Sequence, residues 1–138
     1  MAAERVEILG KTSIYEHLKA YGLIDVQLDP YPHSGGATTF DGLVQGVPCV
    51  TLLGELIQAR TSASMLTTVG LADLIARSPE EYVEIAGRLA RDPNRLVAER
   101  ASLRGRVLAS PLGNPKLYTQ AVEALYRTLW RRWATGLE

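Results

Sequence analysis

The loop between residues 29 and 41 contains the residue types that a nucleotide-binding site would need. Two adjacent glycines, Gly35 and Gly36, allow the backbone to approach a ligand closely, because neither has a side chain. The amides of residues 37–39 follow at a predicted helix start, where unpaired N–H groups and the helix dipole favour phosphate oxygens. Asp41 lies in the first turn of that helix, and its carboxylate can accept hydrogen bonds from ribose hydroxyls. The loop therefore predicts an anion-binding site with an adjacent sugar contact.

The spacing alone leaves a second interpretation open, because a Gly-Gly-Ala-Thr-Thr sequence also forms ordinary turns and helix caps. The chain has neither the Gly-x-x-x-x-Gly-Lys phosphate loop nor the Gly-x-Gly-x-x-Gly fingerprint, which argues against an ATPase or a dehydrogenase of the usual kind. His17 and His33 have no third ligand at metal-binding spacing, so no metal site is predicted. The single cysteine, Cys49, excludes an internal disulfide and is expected as a buried thiol in a strand.

An alternation of predicted strands and helices surrounds this loop. Strands are expected over residues 6–9, 24–28 and 47–53, and helices over 14–21, from Thr38 or Thr39 to Val44, and over 56–69. A further strand around 71–75, or a segment outside this chain, would complete the sheet. This order is typical of an α/β domain with a parallel sheet. In such sheets ligands bind beyond the carboxyl ends of the strands, where the 29–41 loop is expected.

The chain from about residue 79 to 134 predicts a helical C-terminal tail. Its three helices are expected to begin at a capping residue followed by proline: Ser78-Pro79, Asp92-Pro93 and Asn114-Pro115. Apolar residues recur at helical spacing in each helix, so we expect these stripes to pack in the core. In the last helix the stripe consists of Tyr118, Val122, Leu125, Leu129 and Trp133. Two interpretations remain for Trp130 and Trp133: they cover the sheet, or they dock on a partner together with the two arginines between them.

Composition and charge limit the classes of protein to which this chain can belong. The 138 residues are 46% hydrophobic and 22% charged, which fits one globular domain over residues 1–138 and argues against disorder. The apolar runs are too short to span a bilayer. Fifteen basic residues balance fifteen acidic ones, so no overall field would attract nucleic acid or an anionic membrane surface. The N-terminus lacks the pattern of a secretory signal, and we expect a cytoplasmic protein.

A specific family resemblance begins at the same loop. The run from Asp25 to Leu53, with Leu-Asp, Gly-Gly-Ala-Thr-Thr, an acid, and Gly-Val-Pro-Cys-Val-Thr-Leu in order, resembles the C-terminal catalytic half of the protein O-GlcNAc transferases and SPINDLY-like proteins, glycosyltransferase family 41. The resemblance continues through Ala59-Arg60-Thr-Ser-Ala-Ser64, Leu74-Ile75-Ala76, Glu81-Tyr82, Ser110-Pro111-Leu112 and Leu125 to Trp130. It therefore covers nearly the whole chain.

The resemblance implies the second Rossmann-like half of a GT-B glycosyltransferase, the half that holds the nucleotide. The implied reaction transfers N-acetylglucosamine from UDP-N-acetylglucosamine to Ser or Thr of a protein acceptor, with inversion and without an essential metal or other cofactor. By position, Gly36, Ala37 and Thr38 match the family's contacts to the diphosphate, and Asp41 matches the acid that binds the ribose. His17 matches the histidine that packs on the uracil, and Thr12 matches the residue whose backbone contacts the edge of the base. The family's catalytic groups match no position here, and the implied partners are the other GT-B half and a tetratricopeptide-repeat region.

Several residues depart from the family pattern. Gly36 and Ala37 stand where members have side chains that contact the diphosphate, Ser34 replaces asparagine, Val44 replaces tryptophan, and Ile14 replaces a lysine of the animal proteins.

Two candidate functions follow from the sequence. The chain is the nucleotide-binding part of an enzyme, or it is a GT-B-like binding module without activity. The role of Arg60 also stays open between a phosphate contact and a helix-surface residue.

Overall fold

A computed structural model describes residues 3–136, and its centre is a parallel sheet of three short strands. Strand β1 is Gln27–Leu28, β2 is Cys49–Leu52 and β3 is Ile75–Ala76. The strands lie in the order β1-β2-β3, with Gln27 opposite Cys49 and Thr51 opposite Ile75. Strand β2 is therefore central, and its residues 49–51 are buried, as expected for a parallel strand covered on both faces. The expected α/β fold with a parallel sheet is confirmed.

The sheet is smaller than the sequence predicts. Residues 6–9 form no strand, so that prediction is wrong; the segment is irregular and exposed, with Ile8 89% exposed. Its alternation spans only four residues, and no neighbouring strand pairs with it within residues 3–136. The predicted strand at 24–28 shortens to β1, which pairs with β2 alone. The extra strand expected around 71–75 exists, but as β3 after a 3-10 turn at Ala72–Leu74.

Residues 3–136 contain six α-helices besides the three strands. They are α1 Ile14–Ala20, α2 Ala37–Val44, α3 Thr61–Thr68, α4 Pro79–Ala90, α5 Pro93–Ala109 and α6 Pro115–Ala134. The start signals expected at Ser78, Asp92 and Asn114 are confirmed, because each side chain accepts a hydrogen bond from the backbone N–H three residues on. Ser13 accepts the corresponding bond at the start of α1. The single helix predicted over 56–69 is wrong. A 3-10 turn at Ile57–Ala59 precedes α3, and the bond from the Gly54 N–H to the Ala59 carbonyl (3.2 Å) closes that turn.

The hydrophobic core lies between β2 and helices α2 to α5. Leu43, Val50, Leu66, Leu103 and Val107 are completely buried in it. Each such side chain contributes about 1.5–3 kcal/mol to the free energy of unfolding. The apolar stripes predicted for α4 and α5 are thus confirmed at Ile85, Leu89, Leu103 and Val107.

Helix α6 differs from the other long helices because none of its residues is buried. Leu125, Trp130 and Trp133 are 56%, 65% and 73% exposed, so the prediction that this stripe packs in the core, with the tryptophans over the sheet, is wrong. The main helix contacts of β2 are with α2, α3 and α4, and not with α6. Within residues 3–136, no helix combines the length and apolarity that crossing a bilayer requires.

Candidate functional site

The N-terminus of α2 presents backbone donors at the end of the 29–41 loop. Gly36 is the N-cap residue, and it offers no side chain to cap the helix. The first intrahelical bond runs from the Phe40 N–H to the Gly36 carbonyl (3.0 Å), so the amides of residues 37–39 precede it. None of these three amides has an acceptor in the described part of the chain. Together with the helix dipole, they can bind an anion.

A buried carboxylate, Asp29, fixes the loop in front of this helix. Its Oδ1 accepts the Gly35 N–H at 2.7 Å, and its Oδ2 accepts the Thr51 hydroxyl at 2.6 Å. Asp29 is only 6% exposed, so both bonds form away from solvent. A Cβ atom at Gly35 would lie 2.4 Å from Thr39 Oγ1 and 3.1 Å from Asp29 Oδ1, which explains the glycine. Sequence reasoning treated Asp29 only as the end of a strand and missed this role.

Buried hydroxyls continue this support on the side of α3. The Ser34 hydroxyl donates to the Gln58 carbonyl (2.7 Å), and the Ser62 hydroxyl lies 3.1 Å from the Gly35 carbonyl and 3.0 Å from Thr39 Oγ1. We call these five buried polar residues the loop-support cluster: Asp29, Ser34, Thr39, Thr51 and Ser62. Because the Thr39 hydroxyl is inside this cluster, only Thr38 of the two adjacent threonines is exposed to a ligand.

His17 and Asp41 come together from two different helices. His17 lies on α1 and Asp41 on α2, and His17 Nε2 lies 3.5 Å from Asp41 Oδ2. The two side chains are about one-third exposed, so a ligand can reach both. The structure therefore brings together two predicted site residues that are separated by 24 positions in the sequence. Asp41 lies just beyond the first turn of α2 and not within it, because the helix begins at Ala37, before the predicted start at Thr38 or Thr39.

Tyr21 joins these two helices, and sequence reasoning did not identify it. Its hydroxyl donates to the Thr38 carbonyl at 2.9 Å and lies 3.4 Å from His17 Nε2. Its ring meets the imidazole edge to face, with centroids 5.2 Å apart and planes 82° apart. Burial, followed by the charge of Asp41, raises the pKa of the Tyr21 hydroxyl, so this group stays protonated at neutral pH.

Thr12 is the predicted site residue that the structure does not join to the others. It is exposed immediately before Ser13, the N-cap of α1, and no hydrogen bond links it to another predicted residue in the described part of the chain. Ser13 and Glu16 form a capping box, in which the Glu16 carboxylate accepts the Ser13 N–H at 2.9 Å. The two hydrogen bonds with Ser13 lower the pKa of Glu16. The backbone before α1 is thus held in place by its own helix.

Arg100, on α5, holds both site-bearing segments from behind. Its guanidinium donates to the carbonyls of Tyr21 (3.1 Å) and Gln45 (3.1 Å), and also to that of Ile24. One side chain therefore fixes the turn after α1 and the end of α2. No local sequence signal could have indicated this role, because the three acceptors lie 55 to 79 residues before Arg100.

Open space lies beside these residues. A largely apolar cavity of about 350 Å³ is lined by His17 and Tyr21 together with Leu9, Ile24 and neighbouring residues. A second cavity of about 440 Å³ is lined by Asp29, Thr38 and residues of β1. Arg60 lines a separate cavity and donates to the Gly54 carbonyl at 3.2 Å, which gives it a structural contact. Within residues 3–136 no cluster of three or more His, Cys, Asp or Glu side chains could hold a metal ion.

Comparison with known proteins identifies the family. The family model described as glycosyl transferase family 41 matches residues 1–122 of the chain. The chain belongs to glycosyltransferase family 41. Among curated relatives, the Petunia hybrida protein named probable UDP-N-acetylglucosamine–peptide N-acetylglucosaminyltransferase SPINDLY is 43% identical over 122 residues, covering 88% of this chain and 13% of the relative. The tomato protein of the same name is 41% identical over 134 residues, covering 96% and 14%.

Animal and bacterial members are also similar to this chain. The Caenorhabditis elegans UDP-N-acetylglucosamine–peptide N-acetylglucosaminyltransferase is 34% identical over 122 residues, covering 88% of this chain and 11% of its own. A solved structure of a mutant Thermobaculum terrenum O-GlcNAc transferase matches with a TM-score of 0.85 and 35% identity, over 99% of this chain and 26% of that one. This family 41 chain therefore has the fold of a corresponding part of an O-GlcNAc transferase, and spans about one-seventh of the tomato relative.

Proposed function

We propose that this chain is the nucleotide-binding part of a protein glycosyltransferase that takes UDP-N-acetylglucosamine as donor. The transfer would go to a Ser or Thr hydroxyl of a protein, with inversion at the sugar. The names of the similar proteins support this donor and this class of acceptor. The observation that carries the proposal is that helix α2 has three N-terminal amides without an acceptor among residues 3–136 and, in its following turn, Asp41 paired with His17.

Each predicted site residue has a role in the proposed complex. The backbone at Gly36, Ala37 and Thr38 binds the diphosphate, since amides at a helix N-terminus hold anions without adding charge. Asp41 points one carboxylate oxygen toward His17, which leaves the other for a ribose hydroxyl. The His17 imidazole packs on the uracil, and the Thr12 backbone contacts the base edge. No metal is required in this scheme, because the helix amides supply the electrostatic attraction.

The proposed enzyme needs groups beyond these 138 residues. The catalytic groups would come from the other GT-B half of a longer protein. That longer protein would also carry the tetratricopeptide repeats. The activity therefore belongs to that longer protein, and this chain alone is proposed to bind the donor without transferring the sugar.

A second candidate function is an inactive binding module, and one observation favours it. Space within 4 Å of the Cβ position of Gly36 is empty, so no other side chain replaces the missing diphosphate contact there. Ala37 is exposed and likewise contributes no polar group. Only the backbone amides would then hold the diphosphate. If these amides suffice to bind the donor, the chain is part of an enzyme, and if they do not, it is an inactive module.

Calorimetric titration of the chain with UDP tests the proposal. Asp41→Ala and His17→Ala should each weaken binding about tenfold or more, since a hydrogen bond to a charged group contributes about 1.5–3 kcal/mol and base packing a similar amount. Matched controls are Asp73→Ala, which removes an exposed carboxylate paired with Arg95, and His33→Ala, which removes a loop histidine. Both controls should bind UDP as the wild type does, and EDTA should change nothing.

Two results of the UDP titration would contradict the proposal. Absence of heat at millimolar UDP would favour the inactive module. Equal affinities for the wild type and both site variants would show that UDP binds elsewhere.

A further inference from the structure

The hydroxyl of Tyr21 occupies the junction between the two halves of the proposed site. Tyr21 is 7% exposed, and its hydroxyl oxygen lies 2.9 Å from the Thr38 carbonyl and 3.4 Å from His17 Nε2. Its backbone is fixed as well, because Arg100 donates to the Tyr21 carbonyl at 3.1 Å. A buried hydroxyl on an anchored backbone has little freedom to choose other partners.

Counting protons assigns the direction of these bonds. A carbonyl oxygen only accepts, so the single hydroxyl proton of Tyr21 goes to Thr38. The hydroxyl oxygen can then only accept from His17 Nε2. The carboxylate oxygen Oδ2 of Asp41 lies 3.5 Å from the same nitrogen, which places a negative charge beside a proton on Nε2. The accepting hydroxyl and the carboxylate both lie at Nε2, and no hydrogen bond to Nδ1 is present among residues 3–136. Of the two neutral tautomers, this arrangement favours the one in which Nε2 carries the proton.

We propose that Tyr21 is a positioning residue, which holds His17 in the Nε2–H tautomer with Nε2 beside Asp41 before any ligand binds. The consequence for ligand binding rests on the proposed function. His17 would then present a fixed ring face to the base, and Nδ1 would remain a free acceptor. A pre-set side chain loses less freedom on binding, so the nucleotide binds more tightly.

The same hydroxyl also connects the base contact to the diphosphate contact. Thr38 lies in the first turn of α2, whose amides are proposed to hold the diphosphate. The bond from Tyr21 to the Thr38 carbonyl therefore sets the position of His17 relative to those amides. Loss of this one oxygen should disturb both parts of the site, although Tyr21 itself touches neither the base nor the phosphates in this scheme.

The tautomer of His17 can be measured in the free protein by long-range ¹H–¹⁵N NMR, which distinguishes the protonated from the unprotonated ring nitrogen. At a pH where the imidazole is neutral, we expect the Nε2–H form in the wild type and a mixture of both tautomers in Tyr21→Phe. A wild-type spectrum with the proton on Nδ1 would overturn the proposal without any variant. An unchanged tautomer in Tyr21→Phe would overturn it too.

Tyr82→Phe is the matched control. The Tyr82 hydroxyl also donates to a backbone carbonyl, that of Asp29 at 3.0 Å, but it lies on α4 and has no bond to His17. Both variants remove one hydroxyl-to-carbonyl bond and should lower the thermal midpoint similarly. Only Tyr21→Phe should change the His17 tautomer, so a merely structural role of the hydroxyl predicts the same spectrum in both variants.

UDP titration supplies the second readout. Tyr21→Phe should weaken UDP binding about 3- to 10-fold, the effect of one lost hydrogen bond. Unchanged affinity in a wild type that binds UDP would overturn the positioning role. If the wild type binds no UDP, the proposed function fails, and the tautomer measurement still decides whether Tyr21 positions His17.

Discussion

The loop-support cluster and helix α6 use their side chains in opposite ways. The cluster buries five polar residues, whose hydrogen bonds are made within this chain. Helix α6 exposes large apolar side chains, and the centroids of its Trp130 and Trp133 rings lie 5.1 Å apart. The first region is complete by itself, since buried polar groups are stable only when paired. The second region exposes apolar side chains of the kind that protein contact surfaces contain.

The thiol of Cys49, next to the cluster, gives the largest expected contrast. Burial raises its pKa to about 12 from 9.0. At pH 8 the folded protein should therefore react with a thiol reagent about 1000-fold more slowly than the unfolded chain, because the thiolate is the reactive form. Leu129→Cys in a Cys49→Ala background places the probe on α6 and should react at nearly the unfolded rate. If Cys49 of the folded protein reacts as fast as the cysteine on α6, the two regions do not differ in the way described.

The raised pKa of the Cys49 thiol also makes the free energy of unfolding depend on pH. The folded pKa is raised, so the stabilisation from the buried neutral thiol is fully present below pH 9 and is lost as the pH rises toward 12. Urea denaturation between pH 8 and pH 11 should show this decline, and Cys49→Ala should reduce it. Equal declines in both proteins would assign the effect to other groups.

Removing the carboxylate at the centre of the cluster should have the next largest effect. Asp29→Ala leaves the Gly35 N–H and the Thr51 hydroxyl without an acceptor, so we expect a loss of about 2–4 kcal/mol in the free energy of unfolding. Asp73→Ala, which removes a half-exposed carboxylate 2.7 Å from Arg95, should cost about 1 kcal/mol or less. Chemical denaturation measures both. Similar costs for the two variants would mean that the cluster does not stabilise the loop.

Substitutions on α6 should have the smallest effects. Trp130→Ser and Trp133→Ser should each change the free energy of unfolding by less than about 0.5 kcal/mol, because both rings are mostly exposed. Leu103→Ala, in the neighbouring helix α5, is the contrasting core variant and should cost about 2–5 kcal/mol. A large loss from either tryptophan variant would show that α6 packs against this chain in solution.

The sequence predicted those features that depend on neighbouring residues. The three capped helix starts with proline, the position of α2 after the paired glycines and the buried strand at Cys49 all follow from local chemistry. Features that depend on distant residues were missed. The Asp29 bond to Thr51 spans 22 residues, and the Tyr21 bond to Thr38 spans 17.

Two errors arose because an apolar pattern indicates that a surface needs cover but does not indicate what covers it. Residues 6–9 alternate like a strand, but none of the strands in the described part of the chain pairs with them. Helix α6 has an apolar stripe, but none of its residues is buried. Of the site, the structure places His17 and Asp41 3.5 Å apart, and Asp41 lies beyond the first turn of α2 rather than within it as the sequence predicts. Their nucleotide contacts, and that of Thr12, stay predictions.

The Arg100 side chain has a consequence for the order in which this protein folds. Its bonds to the carbonyls of Tyr21, Ile24 and Gln45 close loops of 79, 76 and 55 residues. Closing such long loops is slow and costs chain entropy until many other contacts form at the same time. During synthesis, residues 12–45 leave the ribosome well before Arg100. The turn after α1 and the end of α2 therefore reach their final arrangement only once α5 has been made and has docked.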